Sequence, residues 1–146
     1  MTTIAANHFK MAADSRVVAA PGTFTSDKIR RTKKGIVGAA GDGALCVAVI
    51  EWFDGKRGKP RIAKAAEFAA LLLNDRGLFY LEYDLSLNPV LEEFYAIGSG
   101  AEYALGAMER DVLAGIRPDP ELAVKAACKR DISSAEPVSI LTFRKA

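Results

Sequence analysis

Residues 35–53 read GIVGAAGDGALCVAVIEWF. The first six are small or β-branched, a composition suited to a strand that other backbones approach closely. The stretch ALCVAVIEWF is apolar almost all round, which marks a well-buried helix rather than an amphipathic surface one. Such a helix has to be covered by other layers, so this segment already demands a layered domain.

The rest of the chain supplies the layers. Residues 2–6 and 11–18 read as short strands around a tight Asn7-His8 turn, and Pro21-Gly22 breaks the chain. Residues 27–32 alternate like a strand, and DGKRGKP is a loop. The Ala- and Leu-rich run IAKAAEFAALLLN, residues 62–74, is expected to be a second helix. Strands at 78–85 and 91–97 flank an Asn88-Pro89 turn. Gly98-Ser99-Gly100 punctuates the chain before a third helix at 101–113. Pro120, with Asp119 as N-cap, starts a fourth at 121–129, and residues 138–143 form a closing strand. Strand runs segregated from helix pairs predict an α+β fold. The expected form is a four-layer αββα sandwich, with two antiparallel sheets each covered by a helix pair.

The length of 146 residues suits a single domain spanning 1–146 with one substantial core. A net charge of +2 is too close to neutral for a nucleic-acid face, and Lys28, Arg30, Arg31, Lys33 and Lys34 form only a local cluster. No apolar run is long enough to span a bilayer, and the first segment carries no legible secretory signal. Cys46 and Cys128 sit in apolar contexts without metal-ligand spacing and read as buried free thiols, which fits a reducing cytoplasm.

Conventional hydrolase chemistry is hard to build here. His8, the one histidine, falls in a turn. GAAGDG lacks the Lys-Ser/Thr of a phosphate-binding loop, although backbone N–H groups at a helix start suit an anion or oxyanion. A hydroxyl nucleophile without histidine needs another base. A free α-amino group, with a pKa of ~7.7–8.0, is partly neutral at physiological pH. On the nucleophilic residue itself it lies within reach of the hydroxyl. An ammonium beside the hydroxyl favours the developing alkoxide, and a carboxylate holds the ammonium. That scheme needs an N-terminal Thr, one Lys and one Asp.

Six stretches in order resemble the proteasome β-subunit/HslV-like family of N-terminal-nucleophile (Ntn) threonine hydrolases. They are MTTIA, MAADSR (11–16), SDKIRR (26–31), GAAGDGA (38–44), AIGSGAEYAL (96–105) and KRDISS (129–134). The resemblance covers nearly the whole chain. It implies that Thr2 is the nucleophile once Met1 is removed, with its freed amine as general base. It implies that Lys28 tunes the hydroxyl, Asp14 holds Lys28, and Gly41 offers its N–H to the oxyanion. Ser99, Asp131 and Ser134 would support the amine and its water, and Ala39 and Gly43 would leave a roomy substrate pocket. Taken singly, each has a plainer reading: Asp14 as a turn former, Lys28 as a solvated strand residue, Ser99 as a helix cap.

The implied activity is a cytoplasmic endopeptidase for peptides or unfolded proteins, in a self-compartmentalising homo-oligomeric ring fed by an AAA+ unfoldase. The chemistry would require no cofactor; a structural cation is left open. Two rivals keep the same fold: a catalytically silent scaffold subunit and a small-amide hydrolase without a chamber. The chain is short for the family. A strand–turn segment is expected to be missing between the second helix and AIGSG, and Ala135 stands where relatives often carry glycine.

Overall fold

The computed structural model describes residues 2–19 and 22–143; Met1 and Pro21 lie outside the described residues. The chain opens with β1 (Thr3–Asn7) and β2 (Lys10–Ala13), an antiparallel pair. The Asn7 side chain makes the turn between them. Its Oδ1 accepts from the N–H groups of Phe9 and Lys10, both at 2.8 Å, while its Nδ2 donates to the Pro118 carbonyl at 3.0 Å. A side-chain amide that satisfies two turn N–H groups replaces the backbone bonds a hairpin tip lacks.

The expected strand over 11–18 is interrupted. Asp14 Oδ2 accepts from the Arg16 N–H two residues on, at 3.1 Å, and residues 14–15 belong to no strand. Beyond that gap, β3 (Arg16–Ala19) pairs, among the described residues, only with β4 (Gly22–Thr25), as a separate two-stranded sheet. Next come β5 (Ile29–Thr32), β6 (Gly35–Gly41) and α1 (Gly43–Phe53). Asp42 caps α1, its side chain accepting from Leu45 N–H at 3.1 Å.

The expected second helix is not present. Residues 62–74 contain instead β7 (Phe68–Asn74), which pairs with both β6 and β8 (Gly77–Leu81). The reason is two-sided burial. Leu71, Leu72 and Leu73 are 0, 1 and 0% exposed. Leu71 and Leu73 enter the central core, while Ala70 and Leu72 pack with Val49, Ile50 and Phe53 of α1. A strand inside a sheet covered on both faces reads as a continuous apolar run, and tertiary burial overrides the helix propensity of Ala and Leu. Leu71→Ala and Leu72→Ala are each expected to cost ~2–5 kcal/mol, measured by denaturant unfolding, because each leaves a cavity on an opposite face of the same strand.

β9 (Asn88–Pro89) completes the five-stranded sheet in the order β5-β6-β7-β8-β9. β10 (Phe94–Gly98) returns to the first sheet, followed by α2 (Ala101–Leu113), α3 (Pro120–Arg130) and β11 (Ser139–Thr142). That sheet has the order β10-β1-β2-β11. Asp119 caps α3, accepting from Glu121 N–H at 3.0 Å, with Pro120 in the first turn as the sequence predicts.

The two larger sheets face each other through Ile4, Met11, Ile36, Leu71 and Ile97. Gly38 permits that approach, since a Cβ there would meet Ile4, Met11 and Ile29 at 2.9–3.0 Å. On the outer face of the first sheet, Ala5, Ala12 and Ala96 pack with Ala104, Met108 and Val124 of α2 and α3. Helix α1 packs on the outer face of the second. The expectation of a helix pair on each sheet is thus corrected: among the described residues the second sheet carries α1 alone.

Candidate active site

Thr2 stands immediately before β1 and is 7% exposed. Its carbonyl lies near the Ser99 hydroxyl at 3.4 Å and the Gly100 N–H at 3.5 Å. Both glycines of the Gly98-Ser99-Gly100 segment are needed for this seating. Gly98 has φ +97°, where L side chains are strained, and a Cβ on it would strike the Thr2 carbonyl. A Cβ on Gly100 would strike the Thr3 hydroxyl.

Asp14 is fully buried in the gap between β2 and β3. Its Oδ1 accepts from Thr3 N–H and from the Lys28 ammonium, each at 2.9 Å, and its Oδ2 from Arg16 N–H at 3.1 Å and Ala135 N–H at 3.2 Å. Four donors match the acceptor capacity of a carboxylate. The Lys28 side chain is only 8% exposed, so the pair is a buried salt bridge, held by the β2–β3 connection on one side and the residue just before β5 on the other. Lys33 and Lys34 are exposed in the turn before β6, as the sequence predicts.

A second network lies on the backbone side of Thr2. Asp131 Oδ2 accepts from Ser99 Oγ at 2.7 Å and from Ser134 Oγ at 2.6 Å, and its Oδ1 from Ser133 N–H at 3.3 Å. Thr3 Oγ1 and Ser134 Oγ are 2.7 Å apart. The one hydroxyl proton of Ser134 is committed to Asp131, so Thr3 is the donor in that pair. The same count gives the Ser99 proton to Asp131 rather than to the more distant Thr2 carbonyl.

Burial raises the pKa of Asp131, but the hydrogen bonds from Ser134, Ser99 and Ser133 outweigh it and the net shift is downward. A depressed folded value means that the carboxylate contributes stability above the ordinary value of 3.8 and loses it as pH falls through the folded value. The stability gap between wild type and Asp131→Asn is therefore expected to be full at neutral pH. It should close progressively below that ordinary value, read from urea unfolding across an acid pH series.

Thr2 opens onto a two-lobed cleft. The larger lobe, of ≈ 430 Å³, is lined by Lys28, Ala39, Gly41, Gly43 and Cys46 among others. The smaller, of ≈ 290 Å³, is lined by Gly41, Glu67, Phe68, Gly98 and Ser99. Gly41 borders both. Its φ of +118° and the Glu67 carbonyl, which a Cβ would strike, require glycine at the junction of β6 and α1. Cys46 and Cys128 have pKa values raised to about 11, chiefly by burial, so neither is a ready thiolate at neutral pH. His8 lies in the β1–β2 turn, with Nε2 2.8 Å from the Glu92 carbonyl, and lines neither lobe. Among the described residues no cluster of His, Cys, Asp and Glu has the arrangement to hold a metal.

All seven residues expected to do chemistry, Thr2, Asp14, Lys28, Gly41, Ser99, Asp131 and Ser134, are thus brought to one end of the facing sheets. Ala39 and Gly43 line the larger lobe. Sequence reasoning missed Thr3, whose hydroxyl and amide tie the two networks together, and Glu67.

No protein-family model and no curated protein matches the chain. Solved structures do. Thiobacillus denitrificans BPH in complex with epoxomicin superposes with a TM-score of 0.74 at 21% identity, covering 97% of both chains. A second structure of Thiobacillus denitrificans BPH gives a TM-score of 0.74 at 20% identity, over 97% of this chain and 96% of that one. Eukaryotic HslV from Trypanosoma brucei gives 0.66 at 18% identity, over 96% of this chain and 98% of that one.

The chain has the HslV fold. The correspondence runs nearly end to end, so the lone α1 on the second sheet is a feature within an HslV-type frame.

Proposed function

We propose that this chain is an N-terminal threonine peptidase of the Ntn type, with the αββα arrangement reduced to α1 on one outer layer. The observation that carries the reading is the convergence towards Thr2 of the buried Lys28–Asp14 pair and the Ser99–Asp131–Ser134 network, with Thr2, Lys28 and Ser99 lining the cleft. The shared fold supports it, as does epoxomicin in the complex with BPH.

Removal of Met1 frees the Thr2 amine. The Thr2 hydroxyl attacks the scissile carbonyl and gives its proton to that amine, while Lys28 favours the alkoxide and Gly41 N–H faces the oxyanion. Collapse breaks the C–N bond; the leaving amine takes the proton from the Thr2 ammonium, and an ester to Thr2 remains. Water then attacks the ester, again giving a proton to the amine, and releases the acid and the free hydroxyl. Asp14 acts by holding Lys28. No step requires a cofactor.

The reading extends to a homo-oligomeric ring that degrades peptides or unfolded proteins in the cytoplasm, supplied by an AAA+ unfoldase. Among the described residues no helix is long and apolar enough to cross a membrane. The decisive experiment joins intact mass with covalent labelling by an epoxyketone. The expected result is a protein lacking Met1, with the adduct mapped to Thr2. Quantitative retention of Met1 in the native protein, or an adduct elsewhere, overturns the mechanism.

A further inference from the structure

The two lobes of the cleft carry different charge. The larger is bordered by Arg16, Lys28 and Arg30 against Asp27. Among the described residues the smaller has a single ionisable side chain, that of Glu67, which also lines an adjoining hollow beside Asp42. Among the described residues no cationic side chain borders either of these acidic spaces. The Asp42 carboxylate is committed to capping α1. The Glu67 side chain is exposed and has no hydrogen bond or ion pair among the described residues.

The backbone fixes where Glu67 sits. Phe68 pairs with Gly41 at the end of the β6–β7 ladder, and the Glu67 carbonyl accepts from Asp42 N–H at 3.0 Å. Glu67 is therefore pinned one residue beyond the junction that borders both lobes. The smaller lobe also contains Ser99 and Gly98, which lie against the backbone of Thr2. Lys28, beside the hydroxyl in the proposed mechanism, belongs to the larger lobe. The contacts that set the smaller lobe against Thr2 reach its carbonyl. In the proposed mechanism the same main chain supplies the amine that protonates the departing nitrogen, which matches this lobe to the leaving half of the substrate.

We propose that Glu67 determines specificity by selecting a lysine or arginine side chain on the leaving-group side of the scissile bond. This rests on Thr2 as nucleophile. A carboxylate with no side-chain partner among the described residues, in a lobe without cationic side chains, is complementary to an ammonium or guanidinium and repels an acidic side chain.

The test uses internally quenched peptides identical except for Lys, Ala or Glu as the first residue of the leaving half. Wild type should prefer Lys to Glu in kcat/KM, with the difference in KM, and the preference should shrink as salt is raised. Glu67→Gln should reduce the Lys/Glu ratio about 3- to 5-fold, the scale of one partly exposed ion pair. Glu67→Lys should invert the ratio. A second arm measures anisotropy of labelled Lys and Glu peptides on the Thr2→Ala protein, with and without Glu67→Lys, and needs no turnover. Equal ratios before and after charge reversal in that arm overturn the role of Glu67. Charge-dependent binding there, with no cleavage by wild type, overturns the Thr2 mechanism and leaves the charge selection standing.

Discussion

Thr2→Ala abolishes peptide turnover, with an expected fall in kcat/KM of about 10⁴-fold or more. That is the scale on which removal of a nucleophile from a catalytic unit is felt. The change deletes the hydroxyl and leaves the amine, so it isolates the attacking atom from the base. It should cost little stability, because the Thr2 contacts to Ser99 and Gly100 run through its carbonyl, which alanine keeps. Thr2→Ser should retain activity. The measurement is turnover of fluorogenic peptides, alongside thermal midpoint and native mass. Wild-type rates from Thr2→Ala would sink the catalytic assignment. Unchanged midpoint and mass with lost turnover would separate a dead nucleophile from a damaged fold.

The second large effect is expected at the Lys28–Asp14 pair. Lys28→Met removes the ammonium and leaves Asp14 buried with a vacant acceptor site on Oδ1. Breaking a buried pair by deleting one partner costs ~3–5 kcal/mol. Activity should fall by about 10²- to 10⁴-fold, on the scale of a lost group that acts on proton transfer or charge in the transition state. Asp14→Asn is no milder remedy. An amide NH₂ placed at Oδ2 faces the N–H groups of Arg16 and Ala135, and placed at Oδ1 it faces Thr3 N–H and Lys28. Either orientation sets donor against donor. The double variant should lose less than the sum of the single losses, in stability and in kcat/KM, because the groups act as one unit. Additive losses would show that Lys28 and Asp14 act independently.

The contrast between what the residues disclose and what they conceal has a physical basis. Thr2, Asp14 and Lys28 stand in short local patterns, and the chemistry needs those residue types, so their convergence could be anticipated. Most strand-like runs were legible, but the expected pair at 78–85 and 91–97 divides between the sheets, β8 in the second and β10 in the first, and Asn88–Pro89 is β9 rather than a turn. The reason is that β8 and β10 find their partners in β7 and β1, the latter remote in sequence. Residues 68–74 were misread because Ala and Leu favour helix locally, while burial of β7 on both faces is decided by β6 and β8, remote in sequence. The separate β3–β4 sheet was hidden because the Asp14 carboxylate, which interrupts the strand run, takes its partners from Arg16 N–H and from Lys28 fourteen residues away. Thr3 passed unnoticed beside Thr2, since only the fold brings Ser134 to its hydroxyl. Glu67 lay in a stretch read as helix, where the register that sets Phe68 opposite Gly41 does not exist.

The four hydrogen bonds to Asp14 have a practical consequence. Three of the donors are backbone amides, those of Thr3, Arg16 and Ala135, contributed by segments far apart in the chain. Such amides exchange their protons with solvent only when the structure around the carboxylate opens. Their deuterium uptake is therefore a clock for the integrity of the lysine's anchor, readable without substrate. An inhibitor that rigidifies the cleft should slow all three together, and a variant that frees the 131–135 segment should release them together.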